Sequence, residues 1–352
     1  MCMESPLTQS ILEHEIYEQP QVIEQLLAEE VEQVQQIAAS VRGSSQYVLI
    51  AARGSSDNAA RYAQYLFGAH NHLQVALATP SLFTIYRQPP RLDGALVLAV
   101  SQSGQSPDIV EVVAEGRRQG RPTIAITNDP ASPLAQAAEH IIQLHAGQER
   151  AVAATKTYTA SLAALALFSA LLEENSAHLE LLARLPEHLC ETLARLDNAL
   201  ARAERYRYMA HCAVIGRGYN YATACEVALK IKELTRTVAE SYSPADFRHG
   251  PVAMVQPGFP VLVIAPSGAV SDDLHALVSE LRQRGSELLV ISDERALLDA
   301  AHLPLPVAPA VPEWLTPLIA VIPGQLFGHA LALSRSLDPD QPAGLSKVTE
   351  TL

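Results

Sequence analysis

The 352-residue sequence predicts an α/β protein made of two parallel, doubly wound sheets in tandem. Three observations carry this. First, short unbroken apolar runs, Tyr47–Ala52, Ala95–Val100 and Thr123–Thr127, each end in a turn. Runs of that length suit strands buried on both faces. Second, these runs and a shorter one near His140–Leu144 alternate with helical segments, which implies right-handed crossovers in a parallel sheet. Third, the second half repeats the first. CAVIGRG (Cys212–Gly218) echoes LIAARG (Leu49–Gly54), and VLVIAPSG (Val261–Gly268) echoes LAVSQSG (Leu98–Gly104). Gly54 and Gly218 are 164 residues apart, as are Gly104 and Gly268, and LVISD (Leu289–Asp293) echoes IAITN (Ile124–Asn128) at nearly the same offset. The expected organisation is a helical segment over 1–44, a first α/β unit over 45–175, a helical linker over 176–205, a second unit over 206–336, and a tail over 337–352.

Composition bounds the function. The chain is 48% hydrophobic and 18% charged, with a net charge of −13. That balance argues against a nucleic-acid or polyanion binder, and any phosphate site must be built locally against the overall field. Cys2, Cys190, Cys212 and Cys225 have no metal-ligand spacing and suggest no disulfide framework, which fits a reducing cytoplasm. The apolar stretch Leu162–Leu172 is too short to span a bilayer and predicts a buried helix, and the acidic N-terminus does not read as a signal peptide. Neither a membrane nor a nucleic-acid partner is expected.

In chain order, Thr8–Val41 carries apolar residues at helical spacing, broken by Pro20 and ended by Gly43–Ser45. The strand at Tyr47–Ala52 runs into Arg53-Gly54-Ser55-Ser56-Asp57-Asn58 and a helix to about Phe67; Arg53 suits either a phosphate or a structural ion pair. The strand Ala95–Val100 runs into Ser101, Gln102, Ser103, Gly104 and Ser106, with a helix starting near Pro107 and Asp108. A single Ser at a helix start is usually a cap. Three Ser, two Gln and a Gly in six residues instead favour an anion site, where backbone N–H groups and hydroxyls converge. Thr155 and Lys156 stand near the start of the long apolar helix, where Lys156 suits either a solvated or ion-paired surface position or the site.

The second half has changed chemistry. Its equivalent loop is Ala265–Val270, APSGAV, with fewer hydroxyls, so the first half keeps the phosphate loop and the second takes another task. That task maps to Glu226–Pro251. Glu226, Lys230 and Glu233 share one helix face. Alone they read as a surface ladder. Followed by the turn Asp246-Phe247-Arg248-His249-Gly250-Pro251, they bring a carboxylate, an amine and an imidazole into one stretch, as proton transfer at carbon requires. A long helix through Phe327–Leu333 and a tail carrying Lys347 close the chain; a tail matters only if something ties it down.

These residues resemble the sugar isomerase (SIS) superfamily, and most closely the isomerase half of glucosamine-6-phosphate synthases and the stand-alone SIS-type glucosamine-6-phosphate deaminases. HEIYEQP (His14–Pro20), SQSGQSPD (Ser101–Asp108), VAATKTYT (Val152–Thr159), EVALKIKEL (Glu226–Leu234), FRHGP (Phe247–Pro251) and DQP…LSK (Asp340–Lys347) carry the resemblance over nearly the whole chain. It implies two flavodoxin-like units and a homodimer with shared active sites. By matching position, Ser101, Gln102, Ser103 and Ser106 would bind the sugar phosphate. Ser56, Val152 and Ala154 would lie near the sugar, Ala154 standing where the synthases have serine. Glu233 would move the proton between C1 and C2, and His249 would open the ring from the neighbouring subunit. Lys230 would form a Schiff base, Glu226 would position it, and Lys347 would close over the substrate. Met1-Cys2 is similar to a glutaminase start, but Met3-Glu4-Ser5 does not continue that pattern. Lacking that half, the chain is expected to run glucosamine 6-phosphate plus water to fructose 6-phosphate plus ammonia, without metal or redox cofactor. The rivals are a phosphosugar aminotransferase or isomerase, a fructosamine-6-phosphate deglycase, and a non-catalytic phosphosugar sensor.

Overall fold

In a computed structural model, residues 10–196 and 200–347 are described. Cys2, and the helical start expected at Thr8, lie outside them. In chain order the elements begin with α1 (Ile11–Tyr17), α2 (Gln19–Val41), β1 (Tyr47–Ala51), α3 (Ser55–His70), β2 (Gln74–Leu77), α4 (Ser81–Thr84) and β3 (Ala95–Val100). Next come α5 (Pro107–Arg118), β4 (Thr123–Thr127), α6 (Pro133–Ala137), β5 (His140–Gln143), α7 (Lys156–Glu173), α8 (Ser176–Ala183) and α9 (Leu185–Ala194). The second sheet follows, with β6 (His211–Gly216), α10 (Asn220–Thr235), β7 (Val238–Tyr242), α11 (Pro244–Arg248) and β8 (Pro260–Ile264). The last elements are α12 (Ser271–Gln283), β9 (Glu287–Ser292), α13 (Arg295–Ala300), β10 (Leu303–Pro306) and α14 (Thr316–Ser334).

Both sheets are five-stranded and parallel throughout. The first runs β2-β1-β3-β4-β5; the second, read from β7, runs β7-β6-β8-β9-β10, the same order. That is the flavodoxin-like order, in which ligands bind beyond the strand C-termini where the winding reverses. The repeat seen in the sequence is therefore a repeat of topology. Gly54 and Gly218 occupy corresponding turns, after β1 and β6, with φ of 56° and 62°.

The chain divides into two compact units, and their boundaries interleave. Of the described residues, one holds 21–149, 156–184 and 346–347 around the first sheet; the other holds 10–20, 150–155, 185–196 and 200–345 around the second. The helical segment ahead of the first sheet is thus split. Pro20 stands at the second position of α2, and the break falls just before it at Glu18, because proline fits a first helical turn but not a helix interior.

Each core follows from binary pattern. Every residue of β3 and of β4 is buried, as the continuous apolar runs required. Each buried Val, Leu or Ile contributes about 1.5–3 kcal/mol. Helix α7 is buried from Lys156 to Leu171, so of the two positions left open for Lys156 the surface one is excluded, and its Nζ donates to the Gln148 carbonyl at 2.9 Å. By length and composition the one helix among the described residues able to cross a membrane is Glu313–Ser334, not Leu162–Leu172, and 94% of its apolar window is buried inside the protein. In the second unit α14 packs on α10 through Gly324, where a Cβ would lie 2.3 Å from Val227 Cγ2. That close approach fixes the helix carrying the charged triad. Cys190 is disulfide-bonded, which corrects the expectation of no disulfides, while Cys212 and Cys225 are free. Linear spacing does not reveal which thiols the fold brings together.

Candidate functional site

The hydroxyl loop of the first-sheet unit begins where β3 ends. Ser101 N–H continues the ladder to the Ile126 carbonyl at 3.0 Å. Its Oγ then accepts from Gly104 N–H at 3.2 Å, which curls the chain back. The Gln102 carbonyl is held by Asn128 N–H at 3.1 Å and Thr127 Oγ1 at 3.3 Å. Gly104 has φ 62°, and a Cβ there would lie 2.2 Å from Ser132 Oγ, so only glycine fits. Ser103 Oγ accepts from Gln105 N–H at 3.3 Å. Ser106 is the N-cap of the twelve-residue α5 but makes no side-chain cap bond, so its hydroxyl is not spent on the helix. Gln102, Ser103 and Ser106 are all half-buried. A helix N-terminus flanked by three hydroxyl side chains and an amide is suited to an anion.

Two neighbours clarify this loop. Arg53 is not a free phosphate ligand: its guanidinium pairs with the fully buried Asp108 carboxylate at 2.8 Å, bracing the start of α5. Ser56 is half-buried in the first turn of α3.

Lys347 is tied down within the same unit. Its ammonium meets the buried Glu149 carboxylate at 2.5 Å. Glu149 also accepts from Thr157 N–H at 3.1 Å and Thr157 Oγ1 at 2.7 Å, capping the start of α7. Glu149 was not singled out in the sequence; its signal is its place before the VAATKTYT stretch.

In the second-sheet unit, α10 presents the charged triad. Lys230 Nζ lies 3.3 Å from Glu226 Oε1 and 2.6 Å from Glu233 Oε2. Glu226 and Lys230 side chains are 0% and 1% exposed, whereas Glu233 is 23% exposed. A surface ladder is thereby excluded: two members are inside, and the third reaches the surface. Burial works against the Lys230 charge, yet the attraction of Glu226 and then Glu233 outweighs it and holds the amine's pKa above its ordinary value.

His249 is exposed in the turn after α11, its N–H donating to the Asp246 carbonyl at 3.1 Å. Buried Phe247 anchors that turn, and Ser243 caps it through Asp246 N–H at 3.1 Å. Among the described residues no hydrogen bond joins the imidazole to the α10 triad. Val152 and Ala154 are half-buried in a segment held by its backbone. Arg150 and Ala151 N–H donate to Glu15 at 2.5 and 3.2 Å, and Val152 N–H donates to the Asp340 carbonyl at 3.1 Å. Asp340 in turn caps α1 through Ile11 and Leu12 N–H at 3.0 and 2.8 Å, so the tail is not frayed there.

The second unit's own version of the hydroxyl loop is already filled. Ser267 donates through N–H and Oγ to the Asp293 carboxylate, at 2.7 and 2.6 Å. Glu313 accepts from Ala269 N–H at 2.8 Å, and its carboxyl group lies 2.4 Å from where a Cβ on Gly268 would sit.

Comparison with known proteins agrees with this architecture. The model of the SIS domain matches residues 44–171 and 209–332, one match per sheet. The chain belongs to the SIS domain family. It is 32% identical over 353 residues to a glutamine–fructose-6-phosphate aminotransferase (isomerizing) of Thermus thermophilus, covering 95% of this chain and 57% of that relative. The chain thus spans about half the length of the curated relatives it matches. A solved Silicibacter pomeroyi protein, provisionally named a phosphosugar isomerase, superposes with TM-score 0.84 at 34% identity, covering 94% of this chain and all of that one. Glucosamine-6-phosphate deaminase of Thermotoga maritima shares the fold, with TM-score 0.78 at 22% identity, covering 97% of this chain and all of that one.

Proposed function

We propose that this SIS protein is a cytoplasmic phosphosugar enzyme that deaminates glucosamine 6-phosphate to fructose 6-phosphate and ammonia. The hydroxyls of Ser101, Ser103 and Ser106, with Gln102, hold the phosphate. Ser56, Val152 and Ala154 surround the sugar, and His249 opens the ring. Glu233 takes the C2 proton and returns it to C1, leaving a fructosimine that water hydrolyses. Lys347, held by Glu149, closes over the substrate.

The observation that carries the reading is the Glu226–Lys230–Glu233 triad of α10, in which Glu233 alone reaches the surface. Lys230, held between Glu226 and Glu233, positions the Glu233 carboxylate as a base. Hydrolysis of a fructosimine needs only water, whereas amino transfer through a Lys230 Schiff base needs a neutral amine. The Schiff-base role that the resemblance implies for Lys230 belongs to the second reading, amino transfer.

The second reading, an aminotransferase or isomerase working on the same phosphosugar skeleton, is supported by the names of the 32%-identical relatives. Ammonia release over a panel of amino-sugar phosphates separates the two. Release from glucosamine 6-phosphate is the expected result; binding or isomerisation without ammonia would overturn the deaminase assignment.

The proposed assembly is a homodimer in which His249 serves the neighbouring subunit's site. Mixing inactive His249→Asn and Glu233→Gln proteins should restore activity in heterodimers. Proven subunit exchange with no recovery would place both residues in one chain's site.

A further inference from the structure

Away from the hydroxyl loop, three helix ends of the first-sheet unit bring together a different chemistry. His70 is the last residue of α3, Glu173 the last of α7, and His178 lies in the first turn of α8. Their placement is fixed by the backbone around them. The Asn71 side-chain amide donates to the Ser169 carbonyl at 2.9 Å and its Oδ1 accepts from Ser169 Oγ at 2.7 Å, locking the end of α3 to α7. Asn175 caps α8 by accepting from His178 N–H at 3.2 Å, and its own N–H donates to the Ala170 carbonyl at 3.0 Å. Arg42 holds the end of α7 through the Leu171 and Leu172 carbonyls at 2.9 and 3.1 Å.

Within that frame Glu173 Oε2 stands 3.3 Å from His178 Nδ1 and 4.0 Å from His70 Nδ1. One donor atom from each residue lies within 4.8 Å of the other two. The two imidazoles meet edge to face with ring centres 4.6 Å apart. A tetrahedral ion with bonds of about 2.0–2.2 Å separates its ligand atoms by roughly 3.3–3.6 Å, so small side-chain rotations close this set on a metal. Two imidazoles and one carboxylate select a borderline ion such as zinc; magnesium and calcium prefer all-oxygen sets. The three side chains are 16%, 34% and 18% exposed. His70 and Glu173 also line a cavity of about 300 Å³ with Arg42, Asn71 and His72, which leaves room for a water ligand.

We propose that His70, Glu173 and His178 bind one divalent transition-metal ion of the zinc class, with water as the fourth ligand. The ion clips α8 to the ends of α3 and α7. None of the three is among the residues proposed for sugar chemistry, and the ion takes no part in that reaction.

The test uses the full chain without a histidine tag, stripped with a chelator and dialysed against zinc or cobalt. One zinc per chain, a raised melting temperature in zinc, and the visible absorption of four-coordinate cobalt are expected. His70→Gln, His178→Gln and the isosteric Glu173→Gln should each weaken zinc binding by about tenfold or more, since each removes a direct ligand. Circular dichroism of each variant confirms that it folds, and Glu173→Gln, which alters no shape, keeps the test decisive if a histidine variant does not. No stoichiometric zinc on the wild-type chain, or full zinc content in all three folded variants, would overturn the site.

Discussion

Two loops occupy the same place in the two sheets and have opposite contents. After β3 the chain reads Ser-Gln-Ser-Gly-Gln-Ser, and Ser106 leaves its hydroxyl out of the helix cap. After β8 it reads Ala-Pro-Ser-Gly-Ala-Val, and the protein's own carboxylates, Asp293 and Glu313, take the donors. The same turn recurs in both sheets; in the second the protein's own carboxylates occupy its donors, and in the first no carboxylate does so among the described residues. The helices diverge in the complementary sense. At the 164-residue offset Glu226 and Lys230 of α10 correspond to Tyr62 and Leu66 of α3, all four buried. One unit has an open hydroxyl loop and uncharged residues at the corresponding helix positions; the other has a filled loop and a charged triad with two members buried. Under the proposed function, the duplicated fold divides binding and proton transfer between its copies.

The largest effect should come from the charged helix. Glu233→Gln keeps size and removes basicity, so kcat for ammonia release should fall by about 10²–10⁴ with KM nearly unchanged. Exchange of the substrate's C2 hydrogen with solvent should fall in parallel. Exchange that survives would move the base elsewhere.

Next is the ion pair's structural role. Lys230→Met leaves Glu226 buried without its partner and should cost about 3–5 kcal/mol of stability, measured by denaturant unfolding. Tyr62→Phe at the corresponding position in α3, which keeps the ring, should cost much less. A mild Lys230→Met would mean the triad is not electrostatically tight.

The third prediction concerns acid. In the second-sheet unit His329 is buried, with Nε2 2.8 Å from Ser10 Oγ. Burial pushes its pKa down to about 4, against the opposing pull of Asp340. An unfolded chain takes up that proton near pH 6.5, while the folded one resists until about pH 4. Stability should therefore fall as pH drops through that window, by on the order of 3 kcal/mol in all, and level off below it. His329→Gln should flatten that part of the stability curve; an unchanged slope would refute the assignment.

The smallest effects compare the loops directly. Each hydrogen bond to a charged group contributes about 1.5–3 kcal/mol, so Ser103→Ala should weaken phosphosugar affinity about tenfold or more by calorimetry. Ser267→Ala, whose hydroxyl is taken by Asp293, should leave that affinity unchanged. Equal losses would end the distinction between a phosphate loop and a filled one.

By itself the sequence determined the buried strands, the duplicated α/β plan and the residue types of both motifs, because unbroken apolar runs and glycine-bearing turns are local signals. The edge strands β2, β7 and β10 escaped it: they are four or five residues long and half-exposed, too brief for a pattern. Tertiary structure decided everything that depends on burial and on distant partners. A Glu–Lys–Glu spacing is the same on a wet face as in a core, and only the packing of α14 on α10 puts Glu226 and Lys230 inside. Arg53 found Asp108, Lys347 found Glu149, and Glu313 found the second loop, across separations of 55, 198 and 44 residues. No composition or periodicity encodes such meetings, because the free energy of an ion pair depends on the dielectric and geometry at its ends, and these exist only once the chain has folded.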